Sequence, residues 1–320
     1  MLPFAAAAVA LALAQPRPGP APGPEQLQRT DLPVALVLSG GVSLGSYEAG
    51  LSWAVVRFSR LASSRATPWG APRLVAVTGA SAGSINALLS GILWCAEPGS
   101  EEDSVDHNLM HDLWMGVGLD GLLPDDPAGY MPGDALMSTR PLLEGFGEFE
   151  RRVTAEGALR RFRPGCRLPI GLTVTRARAA EHEVGGLTLR SQRFALPWRL
   201  EVGSDGAARV VSQPLGDGEL RPDVVDIARS DRSELGAALA WPQVMQGLLA
   251  SAAFPLAFKA RELCDCSPRC PRSNQVLSGT CEGPRGPITN LSCPARSPEG
   301  EPLTLCSHQY VDGGILDNTP

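Results

Sequence analysis

The sequence predicts an α/β fold, a three-layer α/β/α arrangement with a mostly parallel central sheet. Three observations carry that expectation. Two short apolar runs, Val34–Leu38 and Leu74–Val77, each stop at a glycine turn, "SGG" at 39–41 and "GASAG" at 79–83. Each turn leads into a stretch whose apolar residues recur at helical spacing. Strand, glycine turn, helix, twice in succession, is the pattern of parallel strands joined by crossover helices. In such sheets ligands collect at the carboxyl ends of the strands, where both turns fall.

The elements follow in chain order. The apolar run from Leu2 to Ala14 is too short for a bilayer, which needs about 20 residues, and it ends in Ala12-Leu13-Ala14. Small-x-small after an apolar run is a signal-peptidase pattern, so residues 1–14 read as an export signal and 15–31 as a Pro-rich extended linker. One domain, 32–320, remains. Its first strand is followed by a helix over Tyr47–Leu61, in which Leu51, Val55, Phe58 and Leu61 share a face. The second strand is followed by a helix over Ile85–Cys95. Asp106–Trp114 and Leu142–Phe162 read as helices, "LPIGLTVTRAR" as a buried strand and "GGLTLRSQRFAL" as a strand with one exposed side. Leu235–Ala253 is a further helical stretch in which Pro242 must break or start a turn. The aromatic residues Trp53, Trp94, Trp114, Trp241, Phe254 and Phe258 read as core.

Composition narrows the function classes. A net charge of −6 argues against nucleic acid as partner, because phosphate binding needs a basic surface. A mean hydropathy of −0.02 fits a soluble globular chain. Six cysteines (264, 266, 270, 281, 293 and 306) crowd one segment rich in Pro, Gly, Ser and Asn, while Cys95 and Cys166 stand apart. In an exported chain the six read as up to three disulfides, with pairing open. The rival is a zinc site using the C-x-C-x3-C start and His308, although the close C-x2-C pairs are missing. His107 and His111 are four apart but lack the Glu of H-E-x-x-H, and read as surface or cap residues.

The chemistry centres on Gly79-Ala80-Ser81-Ala82-Gly83, a G-x-S-x-G pattern. It places Ser81 on a tight strand-to-helix turn with its hydroxyl exposed and a helix N-terminus behind it. A serine nucleophile needs a base. A Ser-His-Asp esterase would require the late histidine, His308. The other candidate is Asp312 in "YVDGGILDN", where burial beside the serine would raise a carboxylate into a useful range. As a D-G dipeptide, Asp312 also fits a plain turn.

The ordered blocks "LSGGVSLGSYEAG", "GASAGSINALL", "SAAFP" and "VDGGILDNTP" resemble the patatin-like phospholipases, over residues 34–320. The resemblance implies a patatin-like fold and a lipid acyl hydrolase of the phospholipase A or lysophospholipase type. Ser81 would be its nucleophile and Asp312 its base, with neither cofactor nor metal. It implies an oxyanion hole from backbone N–H groups around Gly40, Gly41 and Val42, with Gly45, Gly79, Gly83, Gly313 and Gly314 supporting the turns. The substrate would be phospholipid or lysophospholipid at a membrane surface, reached by an exported protein in the periplasm or beyond. Val42 and Leu44 differ from the family's G-G-G-x-R/K-G. A patatin fold that binds lipid or a partner without catalysis is therefore the second reading.

Overall fold

A computed structural model of the chain describes residues 10–11, 31–41, 44–63, 70–123, 135–154, 162–212, 224–229, 238–297 and 300–316. The strands are β1 (Ala10–Leu11), β2 (Asp31–Leu38), β3 (Ala71–Gly79), β4 (Arg167–Val184), β5 (Leu187–Val202), β6 (Ala208–Ser212), β7 (Arg261–Ser267) and β8 (Thr304–Asp312). The helices are α1 (Gly45–Ser63), α2 (Ala82–Cys95), α3 (Leu109–Met115), α4 (Leu119–Leu122), α5 (Arg140–Thr154) and α6 (Trp241–Ser251). The expected α/β class holds, with one sheet flanked by helices.

Strand order is β1-β2-β3-β4-β5-β6, and β8 joins β4 on one side and β7 on the other. Parallel pairing runs through β2, β3 and β4, the strands separated by the crossover helices. The remaining pairs are antiparallel. The turn between β4 and β5 is Gly185-Gly186, both at positive φ, as a two-residue hairpin of matching twist requires.

One relationship in the register positions everything that follows. β3 ends at Gly79, paired with Leu172 of β4, and β8 ends at Asp312, paired with Val174 of the same strand. Because β5 holds the other edge of β4 there, β3 and β8 lie along one edge and point at each other end to end.

The buried face of the sheet carries Leu168, Ile170, Leu172, Leu196, Trp198 and Leu200. Gly91 of α2 packs on Leu168, Ile170 and Leu200, and Gly247 of α6 on Leu196 and Trp198. Both glycines let a helix backbone approach the sheet more closely than a side chain allows. On the opposite face, among the described residues, Thr78, Gly171, Thr173, Ala195 and Pro197 help line a trough of about 810 Å³.

Several boundaries differ from expectation for local reasons. α6 starts at Trp241 because Pro242 sits in its first turn, where its missing N–H costs nothing. α5 is described only to Thr154; the rest of the predicted stretch, 155–161, lies outside the described residues, and Phe162 forms a bridge with Ala96. Most of the predicted leader and linker also lies outside them, although Ala10 and Leu11 pair antiparallel with Val37 and Leu36. Phe254, expected in the core, is exposed.

The cysteine segment forms three bridges, Cys264–Cys281, Cys266–Cys293 and Cys270–Cys306. The two cysteines that stand apart in sequence also pair, as Cys95–Cys166, joining the end of α2 to the start of β4. No cysteine is free. The segment builds a small core of its own from Ala228, Cys264, Cys266, Cys281, Leu291 and Leu305. Four disulfides fit an oxidising compartment.

Candidate active site

Ser81 occupies the N-cap of α2 with φ 55° and ψ −131°, a backbone conformation a non-glycine residue adopts only under constraint. An N-cap serine ordinarily accepts a hydrogen bond from the first helical turn. Ser81 makes no such cap bond. Its Oγ instead donates to Oδ2 of Asp312 at 2.5 Å.

The strain is held by close packing. A Cβ on Gly79 would meet the Gly83 carbonyl oxygen at 2.2 Å, and one on Gly83 would meet the Leu38 carbonyl oxygen at 2.5 Å. The Ala80 N–H bonds the Leu38 carbonyl, tying the serine turn to the glycine turn that follows β2. Gly40 lies directly against Ser81, since a Cβ there would come 2.2 Å from the Ser81 Cβ. Gly41 accepts from the Leu44 N–H as the chain turns into α1. Val42, the third residue expected at the oxyanion hole, lies outside the described residues.

Asp312 is 1 % exposed and Ser81 7 %. Burial pushes the Asp312 carboxyl above its ordinary value, and hydrogen bonds from Ser81 and from the Gly314 N–H offset part of that rise. The Gly314 N–H reaches Oδ1 at 2.7 Å, so both carboxylate oxygens have a partner. The Asp312 and Gly313 N–H groups bond the carbonyls of Ala253 and Ser251, which gives the "SAAFP" block its role. Gly313 allows this turn to lie on β4, because a Cβ there would stand 2.0 Å from the Thr173 carbonyl oxygen.

Two groups of buried polar residues were not singled out by the sequence. Ser84 Oγ lies 2.9 Å from the Gly79 carbonyl oxygen, Ser251 Oγ lies 2.7 Å from the Thr173 carbonyl oxygen, and the two hydroxyls are 2.6 Å apart, one donating to the other. This chain ties α2, α6 and β4 together beneath the serine turn. In the second group, Asn86 of α2 donates to the Gly45 carbonyl at 3.0 Å and to Glu48 Oε2 at 2.9 Å. Its own carbonyl accepts from Trp114 Nε1 at 2.7 Å. The Trp114 ring covers Gly45 so closely that a Cβ there would lie 2.3 Å from it. Ser84 and Asn86, interrupting the apolar run of α2, were the available signal.

The structure separates His308 from this centre. It lies on β8 four residues before Asp312, roughly 13 Å along the strand, buried with Nδ1 2.7 Å from Asp265 Oδ1. The bond to Ser81 belongs to Asp312. His107 is exposed and the His111 ring sits beside Asp112. Among the described residues the one cluster of metal-ligand type is Glu262, Cys264 and Cys281, and its two cysteines are joined to each other. The zinc alternative is thereby replaced by disulfides.

The assembled groups are a serine hydroxyl at a helix N-terminus, a buried carboxylate accepting its proton, and a glycine turn pressed against it. Such an arrangement suits attack on an acyl carbonyl, with the helix dipole favouring the charge that develops. A family model described as Patatin-like phospholipase matches residues 36–320, nearly the whole chain. No curated protein and no solved structure matches.

Proposed function

The chain belongs to the patatin-like phospholipase family, whose members are generally lipid acyl hydrolases, and from that premise we propose that it cleaves phospholipid or lysophospholipid acyl esters through a Ser81–Asp312 dyad. The observation that carries the reading is the 2.5 Å hydrogen bond from Ser81 Oγ to the buried Asp312 carboxylate. Asp312 takes the hydroxyl proton as Ser81 Oγ attacks the ester carbonyl. The resulting oxyanion is held by N–H groups of the glycine turn at Gly40, Gly41 and Val42 and by the N-terminal end of α2. Loss of one such donor costs about 10²–10³ in rate. The tetrahedral species expels the lyso-lipid alcohol, which leaves with the proton from Asp312. Water, deprotonated by the same carboxylate, then releases the fatty acid and restores Ser81.

The four disulfides support action outside the reducing cytosol, in the periplasm or beyond the cell, at a membrane surface that supplies the lipid. The test is covalent labelling of the oxidised protein with a fluorophosphonate, located by peptide mapping. Labelling at Ser81 that disappears in Ser81→Ala and Asp312→Asn supports the dyad. A folded wild-type protein that stays unlabelled refutes it and favours a lipid-binding role.

A further inference from the structure

The oxyanion turn has to be held in place from behind, because nothing in a glycine-rich loop fixes its own geometry. The residues that do so sit one layer deeper. Asn86 is fully buried on α2, the helix that starts at Ser81. Both of its amide hydrogens are used on α1, the helix that starts where the glycine turn ends. Its carbonyl is closed by Trp114 of α3, whose ring also covers Gly45. The three helices therefore meet at one amide, which fixes the first turn of α1 relative to the nucleophile. We propose that Glu48, Asn86 and Trp114 form a positioning clamp for the glycine turn, with Glu48 as its titrating end.

Glu48 is 3 % exposed, and burial lifts its carboxyl from 4.5 to about 7, against the opposing hydrogen bond from Asn86. No cation offsets its charge among the described residues packed on α1. α2 contributes no ionisable side chain except the bridged Cys95. On α3, His111 pairs with Asp112, which is also bound by Arg152. Glu102, before α3, is engaged by Arg152 as well. Asp31 of β2 and Arg73 of β3 pair with each other where those strands begin. On α1 itself, Arg57 lies over the Trp53 ring and Arg60 binds Asp103. Ionised Glu48 thus places an unpaired negative charge in the first turn of α1, beside the turn that must receive the oxyanion. Neutral Glu48 accepts the same Asn86 hydrogen bond without that charge. Acylation is expected to fall as Glu48 ionises.

This inference rests on the Ser81 acyl-hydrolase reading, so its test carries one readout independent of activity. The first measurement is the pH dependence of fluorophosphonate inactivation, and the second the Trp114 indole N–H resonance followed over the same range. In the wild type the rate is expected to fall severalfold between pH 6 and 8, and the indole resonance to titrate with a midpoint near 7. Glu48→Gln, which keeps an acceptor for Asn86, is expected to abolish both changes. Glu48→Ala lowers the rate at every pH, and Glu48→Gln recovers most of that loss. A falling limb that persists in Glu48→Gln, or an indole resonance that does not titrate, overturns the clamp. A titrating resonance on a protein whose Ser81 never reacts upholds Glu48 as the titrating end and overturns the hydrolase reading instead.

Discussion

Gly40 and Ser81 touch without room for a methyl group: a Cβ on Gly40 would lie 2.2 Å from the Ser81 Cβ, 2.8 Å from the Ala80 carbonyl oxygen and 3.0 Å from the Ser81 hydroxyl. Two glycine turns on neighbouring parallel strands are thereby locked as one surface. Gly40→Ala is expected to push them apart and to lower the fluorophosphonate reaction rate by at least about 10², the scale of losing one oxyanion donor. Circular dichroism should remain native, because the clash is confined to the turn.

In the proposed dyad Asp312 acts in its ionised form, and burial raises its pKa. Activity is therefore expected to rise with pH on the acid side of the Glu48 decline, with a midpoint above the ordinary carboxylate value of 3.8. Asp312→Asn removes that rising limb and lowers the rate on the order of 10²–10⁴-fold, the usual contribution of a general base. A pH–rate profile on a water-soluble ester measures both.

The same burial has a signed effect on stability. A carboxyl whose folded-state pKa is raised binds its proton more tightly when folded. Its contribution is fully present below the unfolded pKa and is lost as pH rises through the folded one. For Glu48 that window runs from 4.5 to about 7. The melting temperature is expected to fall across it, and Glu48→Gln to flatten the decline. Thermal melts at half-unit pH steps are the check.

Cys95–Cys166 closes a loop across a sequence separation of 71. The chain-entropy relation assigns such a loop about 4 kcal/mol. Replacing both cysteines by serine should lower the melting temperature under non-reducing conditions. The Ser81–Asp312 hydrogen bond lies at the other end of α2, so reactivity toward fluorophosphonate at 25 °C should remain.

Much of the centre was legible because its geometry is local. Gly79, Ser81 and Gly83 sit within five positions, and the strand before them and helix after them announce themselves by apolar spacing. Asp312 was legible only through the family resemblance, since an aspartate before two glycines reads equally well as a turn. What joins it to Ser81 is register: β3 and β8 meet along β4, and no local pattern encodes which strand fills that edge. Asn86, Glu48 and Ser251 escaped for a related reason. Each is a polar residue whose partners lie on other elements, so no pattern within its own helix identifies them. The Cys95–Cys166 bridge was missed because 71 residues separate two unremarkable positions.

The antiparallel ribbon of β7 and β8 pairs along its whole length, from Arg261–Tyr310 to Ser267–Thr304, and disulfides staple it to the segment it encloses. Its ladder to the central sheet spans only Val174–Asp312, Thr175–Val311 and Arg176–Tyr310. The ribbon is thus knit more firmly to itself than to the sheet, and it carries the acid while the sheet and α2 carry the serine. A partial opening at that seam would part the two while each half kept its shape. Thermal inactivation is therefore expected to run ahead of thermal unfolding, with early hydrogen exchange at β8 as its mark.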